Sequence, residues 1–384
     1  MKTLFFILMS FMMMLLMGTV YTWSVFRVEV ESVYQVNALQ SGLPYMTSLF
    51  FYALSMMLTG RILTEKTMRK IALVGGVFIG VGWLLASISA SLLMLSIGYG
   101  LFIGVGVGMV YGVPIFIINR RYTTRSGLYS GIVLGGFGAS PLITAPFVAN
   151  LIAQSSLANA FFLMGIVSLV VLMSSSVIFN HKTQSEDLPD SISKPYDAKQ
   201  FVLLYGMFFM ATTIGLMIIG LSYRLGVVDY GYSARQVTIA MAVFALSNGL
   251  ARPLFGYIMD KRGFVFGASL SVSLIMLAAM VALVNNGMHL SLFVMSIGLF
   301  WFNLGAWLSM IPTAIKVYFG TSNYAKRYGF MFTAYGFGAI CGTLLSGVVL
   351  DILVETKYVY YTVLGTILIV GTLLYRFART LIKT

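Results

Sequence analysis

Arg252 is the residue of this sequence whose type and position most clearly suggest chemistry, because it is a cation inside a long apolar segment. A guanidinium group stays charged in a dry site, and its planar fork matches both oxygens of a carboxylate. A charge in such a segment is costly, so it more often belongs to a site than to the packing. Asn248 lies four residues earlier and is therefore predicted on the same helix face. The alternative is a structural arginine that snorkels to the helix end or pairs with Asp260.

The sequence lacks the residue groups that enzymes, metal sites and nucleotide-driven pumps require. Its one cysteine, Cys341, excludes an internal disulfide and a thiol cluster, and His181 and His289 have no paired ligands. No nucleophile–base pair and no G-x-x-x-x-G-K-[ST] phosphate loop is visible. The GVGVG run (104–108) lies inside an apolar segment without a preceding strand, so it is not a dinucleotide loop. We therefore predict no enzyme, no cofactor and no metal.

The elements that position Arg252 are predicted to be membrane-spanning helices. The chain is 59% hydrophobic and 9% charged, with a mean hydropathy of +0.94, so its apolar surface must be solvated by lipid. The apolar segments lack the ten-residue alternation of a membrane barrel. A helix needs about 20 apolar residues to cross a bilayer. Twelve segments fit: 4–26, 41–60, 71–90, 92–118, 127–153, 157–179, 200–224, 236–258, 264–285, 289–315, 328–351 and 357–377.

The basic residues indicate how these helices are oriented. If both termini face the cytoplasm, 19 of the 24 Lys and Arg residues fall on the cytoplasmic side, whereas Arg27, Arg224, Arg235 and Lys357 fall outside. This is the positive-inside bias, and it predicts a multi-pass protein of the cell membrane with the lipid bilayer as its partner. The basic loops are short, which argues against nucleic acid as the reason for the +13 charge. The first segment lacks a cleavage site and is interpreted as a retained helix.

The chain is predicted to consist of two related halves. GFGAS (136–140) recurs as GFGAI (336–340) at an offset of 200, and Pro114 matches Pro312 at an offset of 198. The loop GRILTEKTMRK (60–70) corresponds to GYIMDKRG (256–263) at an offset of 196. Because each half has an even number of spans, the copies share an orientation. We predict six-helix bundles at 1–180 and 200–384, joined by a polar cytoplasmic linker at 181–199.

The loop after the eighth span resembles that of a known family. GYIMDKRG fits the G-x-x-x-D-[RK]-x-G loop of the major facilitator superfamily, which implies an all-α fold of two parallel six-helix repeats. In that family the acidic residue caps the N-terminus of a neighbouring helix and holds the two halves together on the cytoplasmic side. The first half departs from the pattern, because Thr64 occupies the acidic position and Glu65 follows it. The predicted latch residues are Gly60, Glu65, Gly256, Asp260, Lys261 and Gly263.

A closer resemblance is to the oxalate/formate antiporter family, which is similar to monocarboxylate transporters. The segments that carry it are 18–26, Gly104 to Pro114, 125–127, 136–139, Arg252-Pro-Leu-Phe-Gly256, 318–320 and 328–336. The resemblance implies that Arg252 anchors the substrate carboxylate. Monocarboxylate transporters tend to carry a proton-coupling aspartate at the position of Asn248, which asparagine cannot replace. The aromatic candidates for lining the cavity are Tyr21, Tyr111, Tyr335, Trp301 and Trp307.

Tyr335, in the eleventh span, helps to predict the charge of the substrate. Oxalate-handling members of that family carry a lysine where this chain has Tyr335, so a single cation favours a monocarboxylate over a dicarboxylate. We expect a secondary transporter that moves a small organic anion by alternating access, as antiporter or symporter, and that works as a monomer. The alternatives are a transporter of another small solute and a membrane sensor that retains the fold.

Overall fold

The computed structural model describes residues 2–121, 126–175, 197–320, 323–348 and 355–382. These residues form helices joined by short turns. Helix α1 contains a 3-10 turn at Gly18–Thr22, and α4 contains a π-helical segment at Ser96–Ile103. The helices are α1 (Phe5–Tyr34), α2 (Leu43–Ile62), α3 (Met68–Ser87), α4 (Leu92–Ile118), α5 (Ser126–Gln154), α6 (Leu157–Ser175), α7 (Ala198–Arg224), α8 (234–262), α9 (264–285), α10 (Leu290–Phe319), α11 (Tyr324–Val348) and α12 (Lys357–Ile382).

The described residues contain the twelve predicted helices, and the backbone confirms the predicted division between 236–258 and 264–285. Ten helices of the described residues are long and apolar enough to cross a membrane, and one of these is the 52-residue stretch Ala234–Asn285. It contains two helices, because Gly263 has φ 76° and ψ 178°, a conformation that is open to glycine and strained for other residues. Helix α2 is not among the ten. Its buried face carries Tyr45, Ser48 and Ser55, which lower its hydropathy without exposing it.

The predictions for Arg27 and for the end of the first span are wrong. Helix α1 continues to Tyr34, and Arg27 on it is only 2% exposed. Arg27 and Arg252 are therefore both buried arginines in the described part of the chain. Hydropathy ends the span at 26 because charged residues follow, whereas the structure buries Arg27 by giving its guanidinium partners from other elements.

The two halves repeat the same packing and meet along two helix pairs. Within each half the GFGA segment lies on a helix that packs against the first helix of that half: α5 against α1, and α11 against α7. Between the halves, α5 packs against α8, and α2 packs against α11. Helix α7 begins at Ala198, and most of the predicted linker lies outside the described residues.

The contact of α5 with α8 depends on glycine. A Cβ atom on Gly256 would lie 2.4 Å from the carbonyl oxygen of Gly127, and one on Gly131 would lie 2.6 Å from the carbonyl oxygen of Arg252. Lipid supplies little hydrophobic drive for helix association, so close backbone contact provides the attraction. This close approach brings the Arg252 backbone, on one half, against a helix of the other half.

The molecule has a basic end and an end opposite to it. The basic end contains the turn after α2, with Arg61 and Lys66, and the break after α8 at Gly263. The opposite end contains the last turns of α1 and α7, with Glu31 and Arg224.

Candidate functional site

Arg252 lies at the centre of the contact between the halves and is completely buried. Its NH1 group donates to the carbonyl oxygen of Leu134 on α5 at 2.7 Å, and NH2 donates to Oδ1 of Asn248 at 3.1 Å. The guanidinium lies 5.5 Å from the ring centroid of Phe137, a cation–π contact. Nε has no hydrogen-bond partner, and no carboxylate of the described residues forms an ion pair with Arg252. Within the described ranges, the groups that contact this charge are therefore neutral.

The two structural alternatives for Arg252 do not describe this arrangement. A snorkelling arginine would reach solvent, whereas this side chain is 0% exposed. Asp260 is exposed and its carboxylate accepts from the backbone of another helix instead of pairing with Arg252. A buried, fixed cation without a counter-charge remains, and such a group attracts an anion.

Asn248 holds the guanidinium and joins two helices of the second half. Its Oδ1 accepts from Arg252, and its Nδ2 donates to the carbonyl oxygen of Trp301 on α10 at 2.6 Å. The indole Nε1 of Trp301 donates to Oγ of Ser222 on α7 at 2.8 Å. Asn248 therefore holds the Arg252 side chain in position. The two side chains lie on the same face of α8, as predicted.

Aromatic rings from both halves surround this centre. The hydroxyls of Tyr21 on α1 and Tyr335 on α11 are hydrogen-bonded at 2.9 Å, which links the halves directly. The ring of Tyr21 lies 5.0 Å from that of Phe137 and 6.2 Å from that of Trp301, both edge to face. Tyr111 on α4 lies 5.5 Å from Phe137. Arg252 acts electrostatically on the hydroxyls of Tyr21 and Tyr111, so these residues form one cluster with it.

Trp307 is the aromatic candidate that the structure places elsewhere. It follows Trp301 by six residues, which turns it by about 240° around α10. Its ring packs 5.9 Å from Phe264, on α9, and Phe264 in turn contacts Phe377 on α12 at 5.4 Å. Trp307 therefore lies inside the second bundle and faces away from Arg252.

Several residues of the cluster were not named from the sequence. Phe332 stacks on Tyr335 at 4.8 Å and contacts Tyr52 at 5.0 Å, and Tyr328 contacts Phe332 at 5.8 Å. Tyr328, Phe332 and Tyr335 are spaced i, i+4, i+7, the spacing of one helix face. That periodicity is a signal which could have found them, once Tyr335 had been singled out.

A small cleft of about 20 Å³ lies between α2, α4 and α11, toward the basic end. It is bounded by Thr59 and Gly60 of α2, Gly108 and Gly112 of α4, and Tyr328 of α11. The aromatic cluster separates this cleft from the opposite end.

At the basic end the predicted latch residue Asp260 contacts the other half. Its Oδ2 accepts from the backbone N–H of Leu128 at 3.3 Å, in the first turn of α5, and Oδ1 lies 2.8 Å from where a Cβ on Gly127 would be. A carboxylate at a helix N-terminus is stabilised by the helix dipole and by the unpaired N–H groups. Lys316 of α10 adds an attractive charge. Lys261 is exposed.

The corresponding turn of the first half is built differently. The hydroxyls of Thr64 and Thr67 are 3.0 Å apart, and Thr67 donates to the carbonyl oxygen of Ile62 at 2.6 Å. These bonds are local to the turn. Gly60 provides the contact with α11, since a Cβ there would lie 2.6 Å from the carbonyl oxygen of Ala325. Glu65 is exposed.

The opposite end carries a charged cluster that the sequence analysis did not anticipate. Glu31 of α1 accepts from NH1 of Arg224 of α7 at 2.7 Å, an ion pair between the halves, with both side chains about one-sixth exposed. Arg27 lies 3.4 Å from the same carboxylate and donates to the carbonyl oxygen of Gly220 on α7 at 3.0 Å. Ser41 donates to Glu31 at 2.7 Å. Arg27 and Glu31 at i, i+4 were the available sequence signal.

Comparisons with known proteins agree with this architecture. A sequence profile of the Major Facilitator Superfamily matches residues 3–317 and 203–381. The chain is 24% identical over 341 residues to the uncharacterized MFS-type transporter YhjX of Escherichia coli (strain K12), covering 85% of this chain and 83% of that protein. It is 25% identical over 350 residues to the oxalate:formate antiporter of Oxalobacter formigenes, covering 88% and 82%. It is 26% identical over 200 residues to human monocarboxylate transporter 11, covering 50% and 42%.

Proposed function

The chain belongs to the Major Facilitator Superfamily, and from that premise we propose that it is a secondary transporter of a small organic anion. It binds the anion at Arg252 and carries it across the membrane by alternating access. The observation that carries the proposal is a fully buried arginine, at the contact between the halves, with no counter-charge among the described residues. Two of the three relatives have names that refer to carboxylates, which supports the same class.

The substrate we propose is a monocarboxylate. Arg252 supplies one positive charge to the cluster, and α11 contributes Tyr335, a neutral residue whose hydroxyl is hydrogen-bonded to that of Tyr21. A second carboxylate on the substrate would meet phenol and ring groups, and its desolvation would not be offset by a charge. With a single carboxylate, the negative charge of the substrate is neutralised by the positive charge of Arg252.

The substrate also couples the two halves. NH1 of Arg252 is held by the carbonyl oxygen of Leu134 on the other half, and Tyr21 is held by Tyr335. Nε of Arg252 has no partner among the described residues, so a carboxylate can bind the guanidinium there. A charge-assisted bond is stronger than the bond to the neutral Leu134 carbonyl, so we propose that the bound anion draws Arg252 away from Leu134. This loosens a contact between the halves and allows the bundles 1–180 and 200–384 to rock about the site.

The proposed orientation places the basic end in the cytoplasm, in the cell membrane, with the chain active as a monomer. Asn248 cannot carry a proton, so the proposed coupling is exchange of one anion for another or co-transport of a proton with the substrate. An enzymatic role has no support in the cluster, which presents hydrogen-bond donors and rings.

The experiment uses purified protein in proteoliposomes and a panel of labelled carboxylates. Wild type should take up monocarboxylates in preference to oxalate. Arg252→Ala should abolish uptake, and Arg252→Lys should impair it, because a point charge cannot make the bidentate contact. Arg379→Ala, which removes an arginine that stacks on Tyr375 away from the site, is the matched control and should transport normally.

Two outcomes would overturn the proposal. Near-normal uptake by Arg252→Ala would show that Arg252 does not hold the substrate. Binding of a carboxylate by wild type without any flux would instead favour a sensor. Oxalate preference in the wild type would refute the monocarboxylate assignment, and Tyr335→Lys should move the preference toward dicarboxylates.

A further inference from the structure

Two buried tyrosine hydroxyls beside the site lack hydrogen-bond partners. Tyr111 of α4 is 1% exposed and Tyr328 of α11 is 3% exposed. Within the described residues neither hydroxyl makes a hydrogen bond of normal length and angle, although Tyr111 lies close enough to Tyr328 and Arg252 to interact weakly with them. A buried polar group without a partner costs about 1–3 kcal/mol. Native proteins therefore seldom retain one without a function or a bound molecule. Here two occur together, one from each half.

These hydroxyls form a line of donors that leads away from Arg252. Both feel the charge of Arg252, and they interact with one another. Both rings contact Phe332, Tyr111 at 5.6 Å and Tyr328 at 5.8 Å. Tyr328 also lines the cleft toward the basic end, next to Gly108 and Gly112, which flank Tyr111 on α4. The order from the centre outward is Arg252, Tyr111, Tyr328 and then the cleft.

We propose that Tyr328, together with Tyr111, forms a second anion subsite that receives the substrate carboxylate from Arg252 on its way to the basic end. The proposal rests on the proposed function and adds a release step to it. A phenol O–H that donates to a carboxylate makes a charge-assisted bond, which is stronger than a neutral one. Because the phenols are neutral, they hold the anion more weakly than Arg252 does, which is what a residue on an exit path requires.

The test compares two tyrosine-to-phenylalanine variants that remove the same atom. Tyr328→Phe keeps the ring and removes the hydroxyl of the proposed subsite. Tyr99→Phe removes another buried, unpartnered hydroxyl, which lies in the first bundle beside Trp23 and Trp83 and away from Arg252. Each variant is purified, its melting temperature is measured, and substrate binding and exchange in proteoliposomes are recorded separately.

The two variants should differ in turnover alone. Removing an unsatisfied hydroxyl should leave the melting temperature of both unchanged or raised. Tyr328→Phe should exchange substrate about tenfold more slowly, the loss expected for one hydrogen bond to a charged group. Its equilibrium affinity, set by Arg252, should stay within about twofold of wild type, and Tyr99→Phe should match wild type throughout.

Other results would refute the subsite. Wild-type exchange by Tyr328→Phe, with a raised melting temperature, would mean that its hydroxyl binds water or nothing. A loss of affinity equal to the loss of rate would make Tyr328 a contact of the resting site and not of the exit path. If Arg252→Ala still binds substrate, the proposed function itself fails, and that result does not depend on Tyr328.

Discussion

The two ends of the molecule are closed by different chemistry. The opposite end is held by charged side chains, with the Glu31–Arg224 ion pair and the Arg27 contact to Gly220 joining α1 to α7. The basic end is held by backbone contact at glycines and by one carboxylate, Asp260, at the start of α5. Charged contacts are strong when formed but depend on a single geometry, whereas packed glycines allow helices to slide.

The basic end is itself asymmetric between its two related turns. Asp260 caps a helix of the other half, while Thr64, at the corresponding place, bonds only within its own turn. Among the described residues, both turns therefore make a close backbone contact with the other half, and the turn at Asp260 adds an electrostatic one. We therefore expect the Glu31–Arg224 ion pair, the Asp260 cap and the turn at Thr64 to affect the opening of the two ends to unequal extents.

The largest expected effect comes from removing the ion pair at the opposite end. Glu31→Gln keeps the shape of the side chain and removes its charge, so Arg224 and Arg27 lose a charge-assisted partner worth about 1.5–3 kcal/mol. The population open at the opposite end should rise by tenfold or more. Spin labels at the exposed positions Ser32 and Ala234, in a Cys341→Ser background, should report a longer distance.

Glu29→Gln is the control, since it removes a charge from the same helix without touching the ion pair. The exchanged pair Glu31→Arg with Arg224→Glu should restore part of the closed population. If Glu31→Gln leaves the label distance unchanged, the charged cluster does not close this end.

A smaller effect is expected at the capped helix of the basic end. Asp260→Asn removes the charge but keeps an acceptor, and a charge at an exposed helix N-terminus is worth about 0.3–1 kcal/mol. The population open at the basic end should therefore rise two- to fivefold. Labels at the exposed residues Lys66 and Lys326 would measure it.

Asp197→Asn provides the matched control. Asp197 caps α7 by accepting from the N–H groups of Lys199 and Gln200, but it does so within one half. It should reduce stability by a similar amount and leave the label distance as in wild type. A shift as large as that of Asp260→Asn would mean that capping in general, and not the contact between halves, controls the equilibrium.

The smallest effect is expected where the first half lacks the carboxylate. Thr64→Asp supplies a charge near the start of α11 but removes the bond to Thr67, so the gain should be at most about 1 kcal/mol. The basic end should close slightly, with the same pair of labels moving the other way. Thr64→Asn, which adds no charge, should not close it, and equal results for the two variants would contradict the electrostatic explanation of the asymmetry.

The fold could be predicted almost completely from the sequence, whereas the site could be predicted only in part. Long apolar segments and basic loops identify the spans because hydropathy is a local sum. The prediction ended the first span before Arg27 because hydropathy is summed over neighbouring residues only. It therefore cannot take into account a hydrogen-bond partner of Arg27 on α7. Arg252 and Asn248 were selected by type and spacing, and the structure brings their side chains together. Trp307 was selected by residue type, but the phase of α10 turns it to the other side.

The sequence by itself determined that lipid solvates the protein, how many helices it has, and that its two halves are related. These properties depend on composition and on patterns within contiguous residues. The tertiary structure decided which groups meet: Leu134 with Arg252, Tyr21 with Tyr335, and Glu31 with Arg224. Each pair joins residues more than 100 positions apart, on different halves. Their meeting depends on how two bundles dock through glycine-lined surfaces, and no local pattern encodes that geometry.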